Sequence, residues 1–141
     1  PSMHPDVQAA VAEMAVATDP IEATIQMFST LAGSRAPFDE QGFREGFMLG
    51  VERGGFNPAC GHGLAVGASP SRRARLKDVA TPTLVLHGDE DKILPLGHGE
   101  ATAAAIPGAK LVVLRGVGHD FPEPAMGEYV EAILGHLEAS T

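Results

Sequence analysis

The chain has 141 residues, 44% of them hydrophobic, which is enough for the core of one folded domain and excludes wholesale disorder. Its formal net charge of −8, from 18 acidic and 10 basic residues, argues against a nucleic-acid partner, because phosphate contacts need clustered Lys and Arg. No apolar run approaches the roughly 20 residues that span a bilayer, so no membrane contact is expected.

The first part of the sequence predicts three helices. Apolar spacing and capping residues place them at Asp6 to Ala17, at Ile21 to Leu31, and from Asp39 to the Gly54-Gly55 break. Asp19-Pro20 supplies a cap and a proline at the first position of the second helix. Gly33 is expected to close that helix.

The third predicted helix carries Phe43, Phe47, Met48 and Val51 on one face. Such a stripe is typical of core packing, but helices above a catalytic centre also line substrate pockets. Phe43, Phe47 and Met48 are therefore candidate substrate-binding residues, with packing as the alternative.

A basic cluster and a domain boundary follow. The cluster comprises Arg72, Arg73, Arg75 and Lys77, and it is interpreted as a solvated helical face that sets no partner. The boundary is predicted near Leu76 to Thr81. It separates a helical region, residues 1–75, from a second region, residues 76–141.

The second region predicts two strands, each followed by a helix. The strands are the apolar runs Pro82 to His87 and Lys110 to Leu114, whose branched residues suit strands buried on both faces. Helices are predicted at His98 to Ala105 and near Pro124 to Leu137. Strands joined by a helical crossover predict a parallel β-α-β unit and therefore an α/β fold.

Two parallel strands cannot cover their own faces and edges, and such sheets normally contain several strands. We therefore expect this unit to be the end of a larger sheet, whose other strands lie upstream of Pro1 or in another chain. The lack of an initiator methionine agrees with an incomplete chain. The unpaired edge predicts either a homo-oligomer or association with an N-terminal half.

Titratable side chains follow both predicted strands. Asp89, Glu90 and Asp91 come after the first strand, and His119 comes after the second. Because the carboxyl ends of parallel strands meet at one edge, an acid and the histidine can meet there. A carboxylate bound to one imidazole nitrogen leaves the other free to take a proton from a nucleophile. Spacing alone does not decide which of the three acids takes this role.

Two motifs carry a resemblance to the α/β-hydrolases. They are Pro82-Thr83-Leu84-Val85-Leu86-His87-Gly88-x-x-Asp91 with Pro95 following, and Gly116-x-Gly118-His119. Ser69-Pro70-Ser71-Arg72 and Ile106-Pro107-Gly108-Ala109 are similar to the esterase branch typified by aclacinomycin methylesterase. The resemblance is strong over residues 76–125 and weak over residues 1–60.

This resemblance implies the C-terminal part of an α/β-hydrolase fold preceded by a helical cap, which is residues 1–75. It also implies that Asp91 is the acid and His119 the general base of a Ser-His-Asp triad acting on a small-molecule ester. In the family the serine lies in a Gly-x-Ser-x-Gly elbow upstream of the cap. None of the serines here lies in such an elbow, and Gly67-Ala68-Ser69-Pro70-Ser71 lacks its last glycine. The nucleophile is therefore unknown, and the isolated chain is expected to be inactive.

Two other functions stay open. One is a catalytically silent chain that binds a small ligand or self-associates through its sheet edge. The other is a different reaction on the same fold, since peptidases, dehalogenases and cofactor-free dioxygenases share the acid and the histidine.

No metal or cofactor is expected from the sequence. Cys60-x-His62 is too sparse for zinc, and Gly116 and Gly118 lack the context of a dinucleotide fingerprint. Cys60 is the single cysteine, which excludes an internal disulfide and fits a cytoplasmic location.

Overall fold

The computed structural model describes residues 3–54, 65 and 68–140; Cys60, His62 and Gly67 lie outside this set. The N-terminal helices are α1 (Pro5–Val16), α2 (Pro20–Leu31) and α3 (Glu40–Glu52). After a 3-10 helix (Arg73–Asp78) come β1 (Leu84–Gly88), α4 (Gly97–Ala105), β2 (Lys110–Leu114), a second 3-10 helix (Glu123–Ala125) and α5 (Met126–Glu138). The predicted helices and strands are confirmed, with ends that shift by a residue or two.

Helices α1 and α2 pack against each other. Their buried apolar side chains are those of Val7, Ala10, Ile25 and Leu31. The predicted cap of α2 is confirmed, since Asp19 Oδ1 accepts hydrogen bonds from the N–H groups of Ile21 and Glu22 at 2.9 and 3.1 Å. No described helix has both the length and the apolarity needed to cross a membrane. The basic residues at positions 72, 73, 75 and 77 are exposed, as expected of a solvated face.

Strands β1 and β2 form the parallel pair that the sequence predicts, with Leu84 opposite Lys110 and Gly88 opposite Leu114. The prediction that both strands are buried on both faces is wrong for this chain. Only Gly88 and Leu114 at the strand ends are buried, and the positions before them are half-buried or exposed. The physical reason is that the described sheet has two strands, so one edge of each has no neighbouring strand.

The core of the second region lies where β2 runs into the next loop. Leu114, Val117, Ala125 and Tyr129 form its buried cluster, and Leu86 and Val112 pack against it. Val117 is 0% exposed, so the loop that carries His119 is seated directly on this core.

Gly33 has a different role from the helix closure that the sequence predicts. Helix α2 ends with Ala32 as its C-cap in an extended conformation, and Gly33 is not among the positive-φ glycines. A Cβ atom at Gly33 would lie 2.2 Å from the carbonyl oxygen of Gly116 and 2.4 Å from the nitrogen of Gly118. Glycine is needed here because two backbones approach closely.

Candidate active site

Asp91 lies in the turn that follows β1 and is 9% exposed. Its Oδ1 atom accepts hydrogen bonds from the backbone N–H groups of Ile93 at 2.9 Å and Leu94 at 2.8 Å. These bonds fix the carboxylate in one orientation. Its other oxygen, Oδ2, lies 2.7 Å from Nδ1 of His119, 28 residues farther along the chain.

His119 follows β2, and its side chain is 41% exposed. Its backbone N–H donates to the carbonyl oxygen of Leu31 at 2.8 Å, which anchors the residue to the end of α2. An ionised carboxylate only accepts hydrogen bonds, so the contact with Asp91 assigns the hydrogen to Nδ1. Nε2 is then the nitrogen that can accept a proton, which is the arrangement a general base requires.

The structure separates Asp91 from the two neighbouring acids. Asp89 accepts hydrogen bonds from the N–H of Gly116 at 2.7 Å and from Arg115 Nη1 at 3.0 Å. Burial acts to raise the pKa of the Asp89 carboxyl, but these hydrogen bonds outweigh it and lower that pKa below its usual value. Glu90 binds Ser34 instead. Of these three carboxylates, Asp91 is the one in contact with His119.

A second histidine lies beside Asp91. His87 Nε2 is 2.6 Å from the carbonyl oxygen of Leu94 and 4.0 Å from Asp91 Oδ2. Its ring leaves no room for a side chain at Gly99, where a Cβ atom would lie 2.7 Å from His87 Nδ1. Through its contact with Leu94, His87 stabilises the turn that holds Asp91.

Two clefts of about 390 Å³ each share Asp120 and Phe121, the residues directly after His119, in their linings. Both acid and histidine line the first, together with Leu94, Phe121 and Tyr129. The second is lined by Phe38, Phe43, Phe121 and other residues that follow α2 and β2. Phe121 is 75% exposed and forms a wall of both clefts.

The three candidate substrate-binding residues differ in whether they line one of these clefts. Phe43 lines the second cleft, and its ring centroid is 5.5 Å from that of Phe38. Phe47 stacks on Phe43 with the centroids 6.1 Å apart. Met48 is 37% exposed on α3. Phe43 is the one of the three that the structure brings to a described cleft.

The sequence pattern predicts no role for Phe38, Phe121 or Tyr129. The sequence does carry a signal for Phe121, because this aromatic residue follows the candidate histidine by two positions. Tyr129 belongs to the buried cluster, and burial is the main cause that raises the pKa of its phenol, followed by the nearby charges of Asp120 and Asp91. Its position in an apolar helix face gives no such signal.

The described serines bond to other groups than His119. Ser29, Ser69 and Ser140 donate to backbone carbonyls within their own helices or turns, Ser34 donates to Glu90, and Ser71 accepts from the N–H of Arg73. Among the described residues, no group of three His, Cys, Asp or Glu side chains is placed to hold a metal ion.

The TAP-like protein family of α/β-hydrolases has a model that matches residues 56–136, more than half of the chain. The chain belongs to this α/β-hydrolase family. It is similar to rhodomycin D methylesterase DauP of Streptomyces sp. (strain C5), with 30% identity over 122 residues. That match covers 86% of this chain but 41% of the relative, so the chain spans less than half the length of that methylesterase.

Solved α/β-hydrolase structures have the same fold over about half of their length. The esterase RhEst1 from Rhodococcus sp. ECU1013 is 18% identical with a TM-score of 0.68, and the match covers 99% of this chain and 50% of that one. Est816, described as an N-acyl homoserine lactone degrading enzyme, is 24% identical with a TM-score of 0.65, and the match covers 94% and 51%. The predicted fold class, part of an α/β-hydrolase, is confirmed.

Proposed function

We propose that Asp91 and His119 are the acid and the general base of a Ser-His-Asp triad in a carboxylic ester hydrolase. The observation that carries this proposal is the 2.7 Å contact between Asp91 Oδ2 and His119 Nδ1 at the ends of adjacent parallel strands. In this role Asp91 orients the imidazole and stabilises the imidazolium that forms during the reaction.

The nucleophilic serine and the oxyanion-hole donors would come from residues outside this chain. The serine Oγ attacks the acyl carbonyl carbon while His119 Nε2 takes its proton, and the imidazolium then returns that proton to the leaving alcohol. Water hydrolyses the acyl-enzyme by the same exchange. The length of the methylesterase relative supports this proposal, because the match leaves more than half of that protein without a counterpart here.

Residues 1–75 would form the cap and residues 76–141 the C-terminal part of the core. The substrate would be a small-molecule ester with an apolar, ring-containing portion. Its ring would lie in the cleft between Phe43 and Phe121, while Phe47 and Met48 farther along α3 would be outer contacts. Aromatic walls favour such a ligand, because flat rings stack on them and lose apolar surface to water.

An N-terminal half of the fold would cover the apolar side of α5 and the free edge of β1. Four apolar residues of α5 are close to half exposed: Val130 at 50%, Ile133 at 43%, Leu134 at 54% and Leu137 at 55%. Contiguous exposure of this kind is typical of surfaces that a partner covers. A homo-oligomer is the alternative, and light scattering of the chain with and without the N-terminal half separates the two.

The single cysteine supports a cytoplasmic location.

An ester assay on the separate parts tests this proposal. The isolated chain should neither hydrolyse p-nitrophenyl esters nor react with a fluorophosphonate serine probe. Addition of the N-terminal half should produce both activities, and His119→Ala should remove the hydrolysis while His98→Gln, on α4, retains it. Probe-sensitive hydrolysis by the isolated chain that disappears in His119→Ala would overturn the proposed origin of the nucleophile.

A further inference from the structure

Residues 31–35, here named the connector, join the end of α2 to the loop that carries His119. The carbonyl oxygen of Leu31 accepts from the N–H of His119 at 2.8 Å, and the N–H of Arg35 donates to the carbonyl oxygen of Gly116 at 2.7 Å. Gly33 lies between these two bonds, packed against the backbone of the same loop. The backbone of His119 is therefore held from the side of the N-terminal helices as well as by β2.

Glu90 binds the connector from the acid loop, which is residues 89–91 after β1. Its Oε2 atom accepts from the N–H of Ser34, and its Oε1 atom accepts from the Ser34 hydroxyl, both at 2.7 Å. The N–H of Glu90 donates to the carbonyl oxygen of Val117 at 3.0 Å. One residue next to Asp91 thus contacts both the connector and the His119 loop, and a charged acceptor makes its two side-chain bonds strong.

Arg35 adds a second attachment of the connector. Its Nη1 atom donates to the carbonyl oxygen of Arg115 at 3.2 Å, and its guanidinium forms an ion pair with Glu128 of α5. The carboxylate of Glu90 attaches the connector to the loop that carries Asp91, so Glu90 adds an indirect link, through the connector, to the direct contact between Asp91 and His119.

We propose that Glu90 is a positioning residue for His119, acting through Ser34 and the connector; this rests on the proposed function. With Glu90 bound to Ser34, the carbonyl oxygen of Leu31 stays in place and fixes the backbone of His119. The imidazole then faces Asp91 in one orientation.

Proton exchange of His119 in the 141-residue chain, followed by NMR, tests the proposal without requiring activity. Glu90→Gln keeps the shape of the side chain but removes its charge and one of its two acceptor oxygens, so the Ser34 N–H and hydroxyl can no longer both donate to carboxylate oxygens, and Ser34→Ala removes the hydroxyl. Each variant should speed exchange of the His119 backbone N–H and Nδ1–H by about 3- to 10-fold, the scale of one or two ordinary hydrogen bonds. Exchange in the double variant should be little faster than in either single variant, because both substitutions weaken the same contact between Glu90 and Ser34.

Glu131→Gln, a change at an exposed carboxylate on α5, is the matched control and should leave both His119 protons unchanged. The backbone N–H of Ile133 reports general loss of stability. Unchanged His119 exchange in both single variants would overturn the proposal, as would equal acceleration at Ile133.

The complete enzyme separates this inference from the proposed function. There, Glu90→Gln should lower kcat with little change in KM. Faster His119 exchange in Glu90→Gln, together with full hydrolysis by His119→Ala, would refute the proposed function and leave the contact as purely structural. Unchanged exchange with loss of hydrolysis in His119→Ala would refute the positioning role and keep the triad.

Discussion

Three consecutive carboxylates after β1 bond in three directions. Asp89 accepts from the backbone N–H of Gly116 and from the guanidinium of Arg115, Glu90 accepts from Ser34, and Asp91 contacts His119. Each contact joins the acid loop to a different part of the site. The chemistry of the pair therefore depends on residues that are not themselves placed to react.

Asp89 should make stability depend on pH in the acid range. Its folded-state pKa is lowered, so its contribution to stability is present above the unfolded value of about 3.9 and is lost as pH falls through the folded pKa. Asp89→Asn should be less stable than the wild type at pH 6, and this difference should shrink toward pH 3. Urea unfolding at several pH values measures it, and parallel curves for the two proteins would contradict the assignment.

The sequence singles out Asp91 and His119 because short motifs at two strand ends carry the signal. The sequence does not predict the contact of Glu90 with Ser34, because the two residues lie 56 positions apart and no local motif indicates that serine. The role of Gly33 is equally hidden, because a close approach of two backbones leaves no periodic pattern. Helical spacing makes Phe43 a candidate, whereas the cleft that it lines also depends on Phe121 from a distant loop.

At the scale of elements, the end of α2 packs against the loop after β2 with no space between them. Gly33→Ala should lower the free energy of unfolding by about 1–3 kcal/mol or more, because a Cβ atom would overlap the Gly116 backbone. Chemical denaturation measures the change.

The exposed Gly46 of α3 is the matched control, because a Cβ atom there meets nothing within 4 Å. Gly46→Ala should leave the free energy of unfolding unchanged or raise it by about 0.5–1 kcal/mol, since alanine favours a helix interior. Equal effects of the two substitutions would contradict the close packing at Gly33.

Strand positions and their parallel pairing follow from the sequence, because branched apolar runs joined by a helical segment permit few other arrangements. The degree of burial does not follow, since it depends on what covers the sheet. Both strands have the composition of fully buried strands, yet most of their positions are half-buried here. This difference supports the proposal that an N-terminal half covers the sheet.

At the scale of the whole molecule, α5 should contribute more to association than to the stability of this chain. Replacing Leu134 and Leu137 with Ser should change the free energy of unfolding by about 1 kcal/mol or less, because both are more than half exposed. The same change should weaken binding of the N-terminal half by about tenfold or more, since it removes apolar area from the proposed interface. Fluorescence titration measures the Kd, and an unchanged Kd would exclude this face.

The most direct test of the central claim is the rate of ester hydrolysis by the complete enzyme with His119→Ala and with Asp91→Asn. Loss of the general base or of its orienting acid should each lower kcat by about four powers of ten or more, while KM changes little. His98→Gln should keep the wild-type rate. A His119→Ala variant that retains hydrolysis within about tenfold of the wild type would contradict the assignment of the triad.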